Sequence, residues 1–340
     1  VKTKLLGRLL FSHDDHSLRL RSINDTCSKA RNTPLTERRI SLRRWHRYAS
    51  GWQNVALFML AIIGGSGLYE LDGLRIEHEH RITTPFGDPS SAIVQGTFQD
   101  RGVLFLARHG TNHAFLPSEV NYRANIFALK QLGARRVVGI SASGSLRQEL
   151  KPGELALVAQ YFDHTRGQRA YSFFGQGVVA HVSTAYPACP NLSADIAQAA
   201  ARCGLPIHRD KTYGCVEGPR LGTRAESFFL RDAARCDLVG MTNVPEAFLA
   251  REAQLAYCAI CLVTDYDCWM DDPAQHVSVD AFLATYQGAT AKAQRLVGEL
   301  LQQPFSETPP DIRQALAGAV LTPDEALTAT QRDWLDVLRQ

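Results

Sequence analysis

"VNYRANIFALKQLGARRVVGI", residues 120–140, decides the fold class. Ile126, Leu129, Lys130 and Leu132 recur at helical spacing and give one mostly apolar face. Gly133 then stops the helix, and "VVGI" follows as a short buried strand. The same alternation runs outward in both directions. The patterns predict strands at 60–63, 92–97, 102–107, 136–140, 154–159, 212–215, 237–241 and 257–263. They predict helices at 118–132, 192–203, 223–235, 244–254 and 278–302. Alternating apolar strands and amphipathic helices argue for an α/β sheet with helices packed on it. No repeat or low-complexity linker interrupts 60–300, so a single domain is expected there.

The chain has 340 residues, 45% hydrophobic and 21% charged, with a net charge of +3. That charge is uneven. Residues 1–52 carry 12 Lys/Arg against 4 Asp/Glu, leaving 25 against 30 in the rest. The body is mildly acidic, which argues against nucleic acid as a partner. The apolar run Val55–Ile63 is nine residues, against the roughly 20 a membrane helix needs. Eight cysteines scattered through apolar segments suit buried thiols in a reducing cytoplasm. Cys258 and Cys261, in "LAYCAICLV", stand three apart on a strand and so point to opposite faces; no second pair completes a zinc site. Residues 1–58 are Arg- and Ser-rich without apolar period. They read as a disordered extension, a targeting segment, or a stretch upstream of a true start at Met59, the last being favoured. Residues 303–340 open with "QQPFSETPPDI" and are expected to pack back as two short amphipathic helices.

Polar residues gather where buried strands end, the place where α/β sheets bind ligands. Gly64-Gly65-Ser66-Gly67 lacks the spacing of a dinucleotide fingerprint or a P-loop, so an oxidoreductase is disfavoured. Its amides and the Ser66 hydroxyl suit an anion cradle, and a tight structural turn is an equal alternative. Arg108-His109-Gly110, with His113 beyond, offers a bidentate fork for an oxyanion, or a salt bridge. Ser141-Ala142-Ser143-Gly144-Ser145 supplies hydroxyls in a loop but does not match a nucleophile elbow. Asp265 and Asp267, two apart on extended chain, face the same way; their mutual repulsion raises one pKa and equips it as an acid, with a helix cap the competing role for either. An anion clamp beside a proton donor suits attack by phosphate with a heterocycle as leaving group.

"IIGGSGLYELDG", "TPFGDPS", "ARHGTNHAFLPSEVNYRANIFALKQLGA", "SASGSLRQELKPGE", "VEGPRLGTRAE", "GMTNVPEAFLAREA" and "TDYDCW" together resemble the purine nucleoside phosphorylase family. They are most similar to its 5′-methylthioadenosine phosphorylase branch, in the same order from about Leu60 to Leu301. The resemblance implies a nucleoside phosphorylase-like α/β fold, a mixed sheet partly closed into a barrel and flanked by helices. The catalytic domain would be 59–302. It also implies phosphorolysis of 5′-methylthioadenosine with inorganic phosphate as co-substrate, without metal or organic cofactor, in a cytoplasmic homotrimer or dimer of trimers. By motif, Ser66, Arg108, His109, Ser141 and Thr242 would hold phosphate. Met241 would lie under the ribose and His113 near its 5′ end. Asp265 and Asp267 would recognise the 6-amino group and N7 and supply the proton. Leu221 stands at the base where the branch often has an aromatic residue, and Asn243 where it has Thr. These departures keep 5′-methylthioinosine or general 6-oxopurine phosphorolysis open. A nucleoside hydrolase is disfavoured by the anion-binding residues, which water attack does not need, and a non-catalytic purine-binding protein by the intact acid pair.

Overall fold

The computed structural model describes residues 59–65, 71, 73–271 and 279–340. Ser66 and residues 1–58 lie outside them. The strands are β1 (Leu60–Gly64), β2 (Arg75–His80), β3 (Ile93–Phe98), β4 (Arg101–Ala107), β5 (Arg136–Ser145), β6 (Leu155–His164), β7 (Ile207–Val216), β8 (Leu238–Gly240) and β9 (Ala256–Asp265). The helices are α1 (Tyr122–Gln131), α2 (Pro190–Arg202), α3 (Arg224–Phe228), α4 (Asn243–Glu252), α5 (Val279–Gln302), α6 (Pro310–Arg313) and α7 (Ala329–Arg339).

One sheet runs β2-β3-β4-β1-β5-β8-β7-β6-β9, and β9 returns to pair with β5. The last five strands therefore close into a barrel, and β1, β4, β3 and β2 extend from it as an open wing. β5 is the seam: it lies parallel to β1 and β9 and antiparallel to β8.

Strand alternation sends side chains into two cores. Val137, Ala259, Cys261 and Val263 join Ile126, Phe127, Leu129, Ala247 and Leu249 of α1 and α4. Val138, Ile140, Cys258 and Ile260 join Leu192 and Ile196 of α2 and Leu296 and Leu300 of α5. Cys258 and Cys261 thus lie on opposite faces, as their spacing predicts. A sheet covered on both sides reads as continuous apolar sequence, which is why these strands were legible. Each fully buried Leu, Ile or Val contributes about 1.5–3 kcal/mol.

Three elements differ from the sequence expectation. β2, "RIEHEH", is an exposed edge strand with charged side chains and no apolar period. Ser141–Ser145 is not a loop: β5 continues through it, pairing Ser141–Ser143 with Cys261–Val263 and Gly144 with Val239 and Asp265. Barrel closure supplies those backbone partners, so polar side chains do not end the strand. The helix expected at 223–235 is α3 followed by a π-helical turn, Phe229–Ala233. In the C-terminal segment α6 is a single turn, whereas α7 places Trp334, Leu335 and Leu338 in the first core.

Candidate active site

Arg108 follows β4 directly, and its backbone N–H donates to the Gly64 carbonyl at 2.9 Å. Its side chain is only 2% exposed. It crosses beneath β1 to β5, where Nη1 donates to the Ile140 carbonyl at 2.8 Å and Nη2 to the Ile63 carbonyl at 3.2 Å. Nε and Nη2 donate to the two carboxylate oxygens of Glu246, in the first turn of α4, at 2.7 and 2.8 Å. The sequence left this fork to an oxyanion or to a surface salt bridge; the structure shows a salt bridge, to Glu246, and it is buried rather than at the surface. Burial acts to lower the Arg108 pKa, but the Glu246 carboxylate more than offsets it and leaves the pKa raised. Tyr257 Oη donates to Glu246 Oε1 at 2.8 Å, so both carboxylate oxygens have partners.

His109 Nδ1 lies 2.9 Å from the Phe115 carbonyl. A carbonyl only accepts, so Nδ1 carries the hydrogen and Nε2 presents a lone pair. Burial, with the Arg108 charge adding to it, pushes the His109 pKa down to about 4, and the ring is neutral at pH 7. His113 stacks on it at 4.4 Å between centroids.

Ser141, on β5 one residue beyond Ile140, donates from Oγ to Asn243 Oδ1 at 3.1 Å. Thr242 precedes α4, and its N–H donates to Tyr213 Oη at 3.3 Å. Its side chain does not cap the helix. Met241 is held by its carbonyl, which accepts from Arg169 Nη1 at 2.7 Å. Arg169 also donates to the Val244 carbonyl at 2.6 Å and to Glu217 Oε1 at 2.9 Å, bracing both ends of the 241–244 turn.

The acidic turn closes the other end. Extended chain stops at Asp265, and Asp267 has φ +52°. The carboxylates therefore do not project together from one strand, contrary to the sequence reading. Asp265 folds back: Oδ1 accepts from the Asp267 N–H at 2.8 Å and Oδ2 from Thr264 Oγ1 at 2.6 Å. Asp265 thus caps its own turn, and neither bond caps a helix. Burial raises the Asp267 pKa, and the Asp265 charge adds to it. Trp269 Nε1 donates to the Ser145 carbonyl at 2.8 Å and pins the turn to β5. A Cβ on Gly144 would sit 3.0 Å from Asp265 Oδ1 and 3.3 Å from Asp267 Cβ, so the glycine permits this approach. Leu221 is 61% exposed, beside Gly222, whose carbonyl lies 3.6 Å from Cys268 Sγ.

The structure thus brings Arg108 and Ser141 together midway along β5, with His109 next to Arg108 in the chain and Thr242 next to Asn243, the partner of Ser141, and it sets Asp265 and Asp267 against Gly144 near the strand's C-terminal end. Sequence reasoning missed Glu246 and Arg169. The one local signal for Glu246 was an acid in the first turn of an otherwise apolar helix; Arg169 had none. Among the described residues no group of three or more His, Cys, Asp or Glu is arranged to hold a metal ion. No helix among them is long and apolar enough to cross a membrane.

The phosphorylase superfamily matches residues 59–302. The chain is 43% identical over 280 residues to the S-methyl-5′-thioadenosine phosphorylase of Geobacter sulfurreducens, covering 82% of this chain and 97% of that protein. It is 46% identical over 242 residues to the enzyme of the same name from Hyperthermus butylicus, covering 71% and 87%. A methylthioadenosine phosphorylase from an antarctic soil metagenomic library superposes with a TM-score of 0.76 at 42% identity, covering 82% of this chain and 98% of that one. The methylthioadenosine phosphorylase of Schistosoma mansoni in complex with adenine gives 0.72 at 33% identity, covering 77% and 99%. In fold, in the order of its motifs and in sequence, this chain belongs to the phosphorylase superfamily.

Proposed function

We propose that this enzyme catalyses phosphorolysis of 5′-methylthioadenosine, giving adenine and 5-methylthioribose 1-phosphate. One observation carries the reading. Arg108 meets β5 at Ile140, and the acidic turn meets it at Gly144. The group read as the anion holder and the pair read as the proton donor therefore meet one strand four residues, about 13 Å, apart, which supports a nucleoside and phosphate lying along it. The names and extents of the relatives support the substrate.

Hydrogen phosphate rests against Arg108, His109, Ser141, Thr242 and Ser66. A neutral His109 with a bare Nε2 accepts the P–OH hydrogen. A phosphate oxygen forms a bond to C1′ as the C1′–N9 bond breaks, and that electron pair leaves with the purine. The Asp265–Asp267 pair gives the purine its proton at N7 and accepts from the 6-amino group. Phosphate charge stabilises the cationic sugar at the transition state, and the acid stabilises the leaving group. Met241 lies under the ribose, His113 near its 5′ end and Leu221 at the base. We read residues 59–302 as the catalytic unit and 303–340 as a tail packed on it. The enzyme acts as a cytoplasmic homotrimer or dimer of trimers in purine and methionine salvage, with phosphate as co-substrate and no metal or organic cofactor.

The test is a panel of methylthioadenosine, adenosine, methylthioinosine and inosine, each with and without phosphate, read by chromatography of the free base. Methylthioadenosine is expected to turn over fastest and only with phosphate. Undiminished cleavage in phosphate-free buffer refutes phosphorolysis; faster turnover of the two inosines refutes the base assignment alone.

A further inference from the structure

A guanidinium has five N–H donors in a fixed fork. Four of those on Arg108 are engaged: Nε and one Nη2 hydrogen by Glu246, the other Nη2 hydrogen by Ile63, and one Nη1 hydrogen by Ile140. One Nη1 hydrogen is left for a substrate. Glu246 is 1% exposed and is itself fixed from behind by Tyr257 Oη. The sheet is shaped for this group. A Cβ on Gly139 would lie 2.4 Å from Tyr257 Oη and 2.7 Å from Glu246 Oε1. The glycine on β5 is therefore what admits the carboxylate and phenol behind Arg108.

A guanidinium free to swing would clamp phosphate with two parallel bonds. Here the fork is turned away and its charge is paired, so the anion meets a single N–H held in one direction. We propose that Glu246 is a positioning residue for phosphate: it fixes the orientation of Arg108 and thereby sets where the attacking anion sits. This rests on the phosphorylase reading. Glu246 touches no reacting atom; it acts through Arg108.

The test is the Michaelis constant for each substrate in the parent, in Glu246→Gln and in Tyr257→Phe. Gln keeps the size of Glu246 but turns an amide N–H toward the Arg108 donors, which displaces the guanidinium. The phosphate KM is expected to rise at least tenfold in Glu246→Gln and about threefold in Tyr257→Phe. The nucleoside KM is expected to stay within twofold in both. A purely structural role would lower the amount of folded enzyme, and so the apparent kcat, without moving KM. A phosphate KM within twofold of the parent, or both constants rising together, overturns the proposal. If Glu246→Gln does not fold, Tyr257→Phe, which keeps both charges but removes the hydrogen bond that fixes Glu246 from behind and so loosens the fork, decides by the same criterion. Base release by the parent without phosphate would overturn the phosphorylase reading and this inference with it. Phosphate-dependent parent turnover with unmoved variants overturns the inference alone.

Discussion

Glu252 closes α4, the helix whose first turn carries Glu246, and its ionisation opposes folding. Its carboxylate accepts from Ser172 Oγ at 2.7 Å and from the Phe173 N–H at 2.8 Å. Burial nevertheless pushes its pKa up to about 7 from an ordinary 4.5. A carboxylate at a helix C-terminus also faces the negative end of the helix dipole. Below pH 4.5 the group is protonated in both folded and unfolded chains and contributes no difference. Between 4.5 and 7 the unfolded chain releases its proton while the folded chain keeps it, so stability is lost as pH rises through that window. Each pKa unit corresponds to ~1.4 kcal/mol, so the full loss above pH 7 is about 3 kcal/mol, and nearer 2 after solvent screening of a partly buried group. Glu252→Gln removes the titration and keeps an acceptor for Phe173. Relative to the parent it is expected to gain about 2 kcal/mol between pH 5 and pH 8. Urea unfolding of both proteins at matched concentration and both pH values measures this. A difference between variant and parent that is the same at pH 5 and pH 8, or that falls at pH 8, refutes the reasoning.

Asp267→Asn removes a carboxyl whose pKa burial raises and is expected to lower kcat/KM for methylthioadenosine by about 10²-fold. The loss on methylthioinosine should be smaller, because an amide N–H can donate to O6; equal losses on both would remove the selectivity argument. Leu221→Phe restores a ring where the base is read to lie and should lower the nucleoside KM by about two- to tenfold, the worth of one aromatic contact. An unchanged KM with phosphate kinetics intact would place Leu221 away from the base.

Periodicity and punctuation in the sequence determined the frame. The apolar face of α1, the stop at Gly133 and the strand after it are local patterns, readable because each residue's role depends on neighbours a few positions away. The motifs at the strand ends likewise revealed the family and most of the residues proposed for its site. Only the tertiary structure decided where β5 and β9 end, because barrel closure supplies backbone partners that polar side chains do not advertise. It alone revealed β2, whose edge position needs no apolar stripe. Most of all it decided what Arg108 does. Its carboxylate partner is 138 residues away, and no local pattern states which acid a buried guanidinium will meet. Desolvation makes that pairing compulsory, and the geometry of three strands and one helix selects Glu246 for it.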